Sequence, residues 1–168
     1  MNYEPIPDAR WVAEYRGDVY VLSGSPAIVS IWDRNTMSPE GSFEHAGIYE
    51  EGSKSTLDVD NRMVFVAGGE RGLLIYDLEG NLLYDYVFEE DFVTNAVTVD
   101  NGMAFISNGN GGVYIATYDE EVQVISKLDL GDFESVNHIA LHDGRLYVAS
   151  GLGGVKVIEV SGQEEGPA

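Results

Sequence analysis

Apolar residues come along this chain in short runs, separated by clusters of Gly, Asn, Asp and Ser. Within the runs the apolar period is two, as in a strand with one buried face. No segment keeps a helical period over three turns. Residues 97–128 show the unit: Val97-Thr98-Val99 alternates, Asp100-Asn101-Gly102 turns, and Met103–Ser107 reads as a second strand. Asn108–Gly112 is a glycine-rich turn, Val113–Tyr118 a third strand and Val122–Leu128 a fourth. Asn-Gly and Asp-Gly pairs (Asn101-Gly102, Asp143-Gly144) supply the positive φ of two-residue hairpins. The strands grow more polar from first to fourth, which predicts inner strands buried on both faces and an outer strand in water.

The unit recurs. Leu57–Asp77, Val97–Thr117 and Ile139–Glu159 align without a gap, each centred on an aromatic: Phe65, Phe105 and Tyr147. Those aromatics are 40 and 42 positions apart. A weaker copy, Asp18–Asp33, places Tyr20 45 positions before Phe65. A period of about 40–45 residues is that of a four-stranded propeller blade. One blade cannot bury both faces, so neighbours must stack. The expected fold is therefore all-β: a β-propeller of four blade-like, four-stranded antiparallel meanders, either complete or a fragment or half of a larger propeller. Residues 1–168 are expected to form one domain or partial propeller, with blades over 9–54, 55–94, 95–136 and 137–168. The last copy ends at Val160 without a convincing fourth strand, and Asn2–Pro7 is the segment expected to supply it. Otherwise the edge stays open. Three assemblies follow: a closed four-bladed ring, two chains forming an eight-bladed ring, or part of a longer protein.

Charge narrows the partners. Nine Lys+Arg against 29 Asp+Glu give a net charge of -20. Such a surface repels phosphate backbones and anionic membrane faces, so neither nucleic acid nor membrane insertion is expected. Solubility is the ordinary reason for such a surface. No apolar stretch reaches membrane-helix length. The chain has no Cys, which excludes disulfides, thiolate metal sites and cysteine nucleophiles. The first residues, Met1-Asn2-Tyr3-Glu4-Pro5, lack the basic and apolar segments of a signal peptide. The expectation is a cytosolic protein or one whose targeting segment has been removed.

Local chemistry is sparse. Gly109–Gly112 and Ser150–Gly154 resemble phosphate-binding loops, but each is followed by a strand instead of the helix that such loops need. They read as turns. Asp58, Asp60 and Asn61 look like the start of a calcium loop without its later ligands or terminal Glu. No cofactor is expected, with calcium at this turn as the one alternative. His138 and His142 share a strand face but have no accompanying base, so a polar strand is the plainer reading than a metal pair.

In a repeat, a residue present in every copy is structural, and a residue that breaks the pattern is the better functional candidate. Gly69, Gly109 and Gly151 recur and are assigned to the scaffold. Thr56 and Ala96 become His138, next to the recurring Asn95 and Asn137, at the start of the first strand. Arg71 stands in a loop where other copies have Asn or Gly. His138, Asn137, Asn95 and Arg71 are therefore the candidate binding residues, and no catalytic set is expected.

Two segments carry a family resemblance: Met63–Asp77, with an aromatic-centred strand, Ala-Gly and Gly-Leu before a closing Asp, and Arg145–Glu159. They resemble the LVIVD repeat of bacterial and archaeal propellers over about three of the four copies. Thr117 and Glu159 replace the closing Asp, and the Ser-x-Pro that often follows is absent. The resemblance implies a secreted, periplasmic or cell-surface binding protein, often longer than this chain, and implies no catalytic residues.

The leading functional expectation is a non-enzymatic module presenting loops to a protein or glycan. A hydrolase or lyase with paired carboxylates at the channel mouth is the second. The third is an assembly unit completing a larger ring, for which the partner is a second copy of the chain.

Overall fold

The computed structural model describes residues 5–88, 92–119, 121–131 and 134–160. Strands β1 (Ala9–Tyr15), β2 (Asp18–Gly24), β3 (Ala27–Asp33) and β4 (Pro39–Glu44) form one antiparallel meander. Strands β5 (Leu57–Asp60), β6 (Met63–Ala67), β7 (Leu73–Asp77) and β8 (Leu82–Tyr86) form the second. The third has β9 (Ala96–Asp100), β10 (Met103–Ser107), β11 (Val113–Thr117) and β12 (Gln123–Leu128). The fourth has three strands among the described residues: β13 (His138–His142), β14 (Arg145–Ala149) and β15 (Val155–Glu159). First strands stack on first strands, β1 on β5, β5 on β9 and β9 on β13. The chain is a four-blade β-propeller. Among the described residues no helix is long and apolar enough to cross a membrane.

Turn chemistry sets each blade. The first hairpins turn on Arg16-Gly17, Asn61-Arg62, Asn101-Gly102 and Asp143-Gly144, all with positive φ at both central residues. That geometry matches the twist of the flanking strands. The third and fourth strands of the complete blades share a register shift, at Ile31/Trp32, Ile75/Tyr76 and Ile115/Ala116. A bulge repeated at one place bends each outer edge alike.

Burial differs from the simple inside-to-outside gradient. In the second blade the second and third strands are the most buried, whereas β5 alternates buried and half-buried residues. The first strand borders the channel and so keeps a period of two. The fourth strand β8 is exposed throughout, as its polarity predicts.

Three apolar clusters fill three junctions. Tyr20, Leu22 and Val29 meet Leu57, Val64 and Val66 between blades one and two. Phe65, Leu73 and Ile75 meet Val97, Ala104 and Ile106 between two and three. Phe105 and Val113 meet Ile139, Leu146 and Val148 between three and four.

Polar clasps reinforce them. Gly69 in the β6–β7 loop exchanges two 3.0 Å backbone bonds with Thr94, at the lead-in to the third blade. Val136, at the lead-in to the fourth, donates to the Gly109 carbonyl at 3.0 Å. Just before β5, Thr56 Oγ1 accepts from the Val97 N–H at 2.8 Å, and on β5 the Asp58 carboxylate accepts from the Val99 N–H at 2.9 Å.

Burial holds the Asp58 carboxyl above its ordinary value, against the opposing pull of the Val99, Val59 and Thr98 hydrogen bonds. The folded chain thus binds this proton more tightly than the unfolded chain does. The contribution is fully present below the unfolded pKa and declines as pH rises through the folded one. Asp58→Asn is expected to flatten that decline in urea titrations carried upward in pH from the ordinary aspartate range. An unchanged slope would show that other groups set it.

The N-terminal segment does not complete the fourth blade among the described residues. The Pro7 carbonyl accepts from Ser23 Oγ, and the Asp8 carbonyl accepts from the Gly24 N–H at 3.1 Å, so this segment follows blade one. Asn2, Tyr3 and Glu4 lie outside the described residues.

Candidate functional site

The ladders place Trp11, Thr56, Ala96 and His138 at one position of the four first strands. Thr56 and Ala96 are buried in their junctions. Trp11 is 39% exposed and His138 half-buried, and their rings meet at 5.0 Å with a 48° tilt. Burial, and then the positive charge of Lys54, hold the His138 imidazole below its ordinary pKa. Both effects favour the uncharged ring.

Beside this pair lies a cavity of about 200 Å³, whose walls include Tyr49, Glu50, Lys54, Glu70, Asn95 and Asn137. Burial pushes the Tyr49 phenol up to about 12, and Arg10 stacks on its ring at 4.6 Å. The two asparagines differ in commitment. Asn95 donates from Nδ2 to the Val136 carbonyl at 2.9 Å and accepts from Ser107 Oγ, tying blade three to blade four. The Asn137 side chain also lines the cavity, with its amide unengaged among the described residues. So Asn95 is a structural clasp, while Asn137 offers a donor and an acceptor to a ligand.

Arg71 leaves the candidate set. Its guanidinium pairs with Asp85 on β8 of its own blade, and it does not line the cavity. His138 and His142 do not converge either. They end opposite termini of β13, on the order of 13 Å apart along a strand. His142 lies beside Asp143 at 3.3 Å, both exposed. His45 is buried; its Nε2 donates to the Ser23 carbonyl at 2.9 Å and Nδ1 accepts from the Gly47 N–H at 3.2 Å. At the calcium-like turn, Asp58 serves β9 and Asp60 accepts from the Tyr118 hydroxyl.

Other acidic groups have local work. Asp18, Asp33 and Glu40 hold carboxylate oxygens within 4.8 Å of one another on blade one. Asp33 already caps its own turn, accepting from the Thr36 hydroxyl and N–H and the Asn35 N–H, which lowers its pKa. A polar groove of about 510 Å³ at the opposite end runs past Tyr15, Arg16, Asp60 and Asp119.

Sequence reasoning missed Trp11, Lys54 and Tyr49. A register shift between Ala9 and Trp11 hides Trp11 from repeat alignment, and Lys54 and Tyr49 lie in the linker between blades. The signal within reach was Trp11 standing where other copies place Thr, Ala and His.

Fold and mouth together define a small β-propeller with a cavity of mixed lining, apolar at Ile48, Tyr49 and Val93 and polar at Lys54, Asn95 and Asn137, at one end of its channel. No protein-family model matches the chain, and no curated protein sequence does. Among solved structures it is similar to the computationally designed Ika4 protein, with TM-score 0.72, 15% identity, and coverage of 96% of this chain and all of that one. It is similar to the computationally designed Ika8 protein at TM-score 0.68 and 15% identity, over 90% of this chain and 46% of that one. For BamB from Moraxella catarrhalis the values are 0.69 and 16%, over 88% of this chain and 42% of that one. At these identities the likeness is one of fold.

Proposed function

We propose that this chain is a non-enzymatic binding module that takes a neutral glycan at the channel mouth. One observation carries the reading: exposed Trp11 stands beside a neutral His138, with the uncommitted Asn137 amide next to it. A Trp face packs against the apolar face of a sugar ring, and an amide pairs with adjacent hydroxyls. The net charge of -20 disfavours anionic ligands.

Hydrolase or lyase chemistry has less support. The carboxyl groups with shifted acidity, Asp33, Asp58, Asp77 and Glu134, serve turns, a blade junction or an ion pair, and none of them lines the cavity. The resemblance of Met63–Asp77 and Arg145–Glu159 to the LVIVD repeat, which no family model matches, is the sole ground for proposing an extracellular, periplasmic or cell-surface setting.

Titration with a panel of neutral oligosaccharides, followed by isothermal titration calorimetry, tests the reading. Trp11→Ala is expected to weaken binding about tenfold or more, as loss of an aromatic anchor does. Trp32→Phe should leave affinity unchanged. Equal affinity in Trp11→Ala and wild type would overturn the site, and silence across the whole panel would overturn the ligand class.

A further inference from the structure

Three of the blade junctions are packed, and the fourth, between blade four and blade one, is open. The repeat makes the comparison direct. The side of a blade that meets its predecessor holds Leu57, Val64 and Val66 in blade two, at 1%, 0% and 0% exposure. The same places in blade four, Ile139, Leu146 and Val148, are equally buried. In blade one they are Val12, which is 57% exposed, and Val19 and Val21, which are half-buried.

The side that meets the successor behaves alike. Phe65, Leu73 and Ile75 are wholly buried, whereas their counterparts in blade four are half-buried Tyr147, Val155 at 70% and Val157 at 55%. The clasps stop at the same seam. Asn95 reaches the Val136 carbonyl, but Asn137 has no equivalent acceptor among the described residues. Gly69 and Gly109 bond the next lead-in, and Gly151 makes no such bond among the described residues. The stacking that joins β1 to β5, β5 to β9 and β9 to β13 is not matched between β13 and β1 among the described residues, and the Trp11–His138 ring contact bridges the seam.

End repeats of a stacked array ordinarily turn a polar face outward. Here both end faces keep the apolar pattern of buried blades. The two faces are also complementary, because each is one half of the junction that the fold builds three times. A second copy of this chain carries both halves. The chain also overlays 46% and 42% of two longer chains over most of its own length, as well as the whole of one chain of its own size, so four such blades occur within larger chains too.

We infer that two copies associate head to tail, blade four of each on blade one of the other, closing one eight-bladed ring. The contact is heterologous, and two copies close it without free ends. Each Trp11 then meets His138 of the other copy, and each Asn137 gains a lead-in carbonyl. This association stands whether or not a glycan binds at the mouth.

A cross-link reads it. Asp58 and Val99 mark a close contact across a packed junction, and their counterparts at the seam are Ala140 and Glu14, both exposed. The chain has no cysteine, so Glu14→Cys with Ala140→Cys introduces the sole thiols. Light scattering of the untreated wild-type chain is expected to give twice 18.3 kDa at micromolar concentration. Mild oxidation of the double variant should give a covalent dimer on a non-reducing gel. Val157→Glu should return the mass to that of one chain with an unchanged circular dichroism spectrum. A single-chain mass with a bond inside the chain would overturn the inference, because the chain would then close its own seam. A ladder of higher oligomers would overturn the two-chain ring.

Discussion

Gly69→Ala is expected to cost about 3–4 kcal/mol of folding stability, a large share of what a domain has. Two effects add. Gly69 sits at φ +66°, a left-handed conformation that costs an L-residue about 1–2 kcal/mol. A Cβ there would also lie inside contact distance of the Ile48 carbonyl oxygen. That carbonyl cannot easily yield. Ile48 is tied through its N–H to the Gly68 carbonyl at 3.0 Å, and its oxygen accepts from the Glu70 N–H at 3.1 Å. Moving it would loosen the clasp between Gly69 and Thr94 that joins blades two and three. Gly144 is the control, with φ +69° but open space where its Cβ would stand. Gly144→Ala is expected to cost only about 1 kcal/mol, the conformational part alone. Urea titration of both variants separates the effects, and equal losses would show that the Ile48 carbonyl moves aside.

Phe65→Ala is expected to cost about 3–5 kcal/mol through lost burial and the cavity it leaves. The ring is wholly buried and lies 4.7 Å from that of Tyr118, inside the cluster between blades two and three. Tyr147 occupies the same repeat position on blade four, where it is half-buried on the open seam. In a chain held monomeric by Val157→Glu, Tyr147→Ala should cost only about 1 kcal/mol, because less apolar area leaves water there on folding. The ratio of the two losses therefore measures how dry the seam is in one chain. Comparable losses would mean that the seam is packed without a second copy.

Much of the fold was legible in local patterns. The hairpins at Asn101-Gly102 and Asp143-Gly144 follow from residues that accept positive φ, and β10 runs over Met103–Ser107 as the apolar run predicts. The scaffold role of Gly69 and Gly109 was legible from recurrence, and both bond the next blade. The site was legible only in part. His138, which breaks the repeat, meets Trp11, whereas Asn137 recurs with Asn95 and lines the cavity without having been set apart by the pattern. Asn95 and Arg71 were not separable from them by sequence, since their commitments are to Val136 and Asp85, on other strands or linkers.

What the sequence determined by itself is the blade: strand period, turn chemistry and the spacing that repeats them. These are governed by φ preferences and by alternation over a few residues. Tertiary structure alone decided which side chains meet across blades, bringing Trp11 to His138 and dividing Asn95 from Asn137. It also decided where packing stops. Val12 and Leu57 are both apolar at one repeat position, and only the presence of a neighbouring blade makes one exposed and the other dry. Burial belongs to the pair of surfaces that meet, and a pattern read along one strand specifies just one of them.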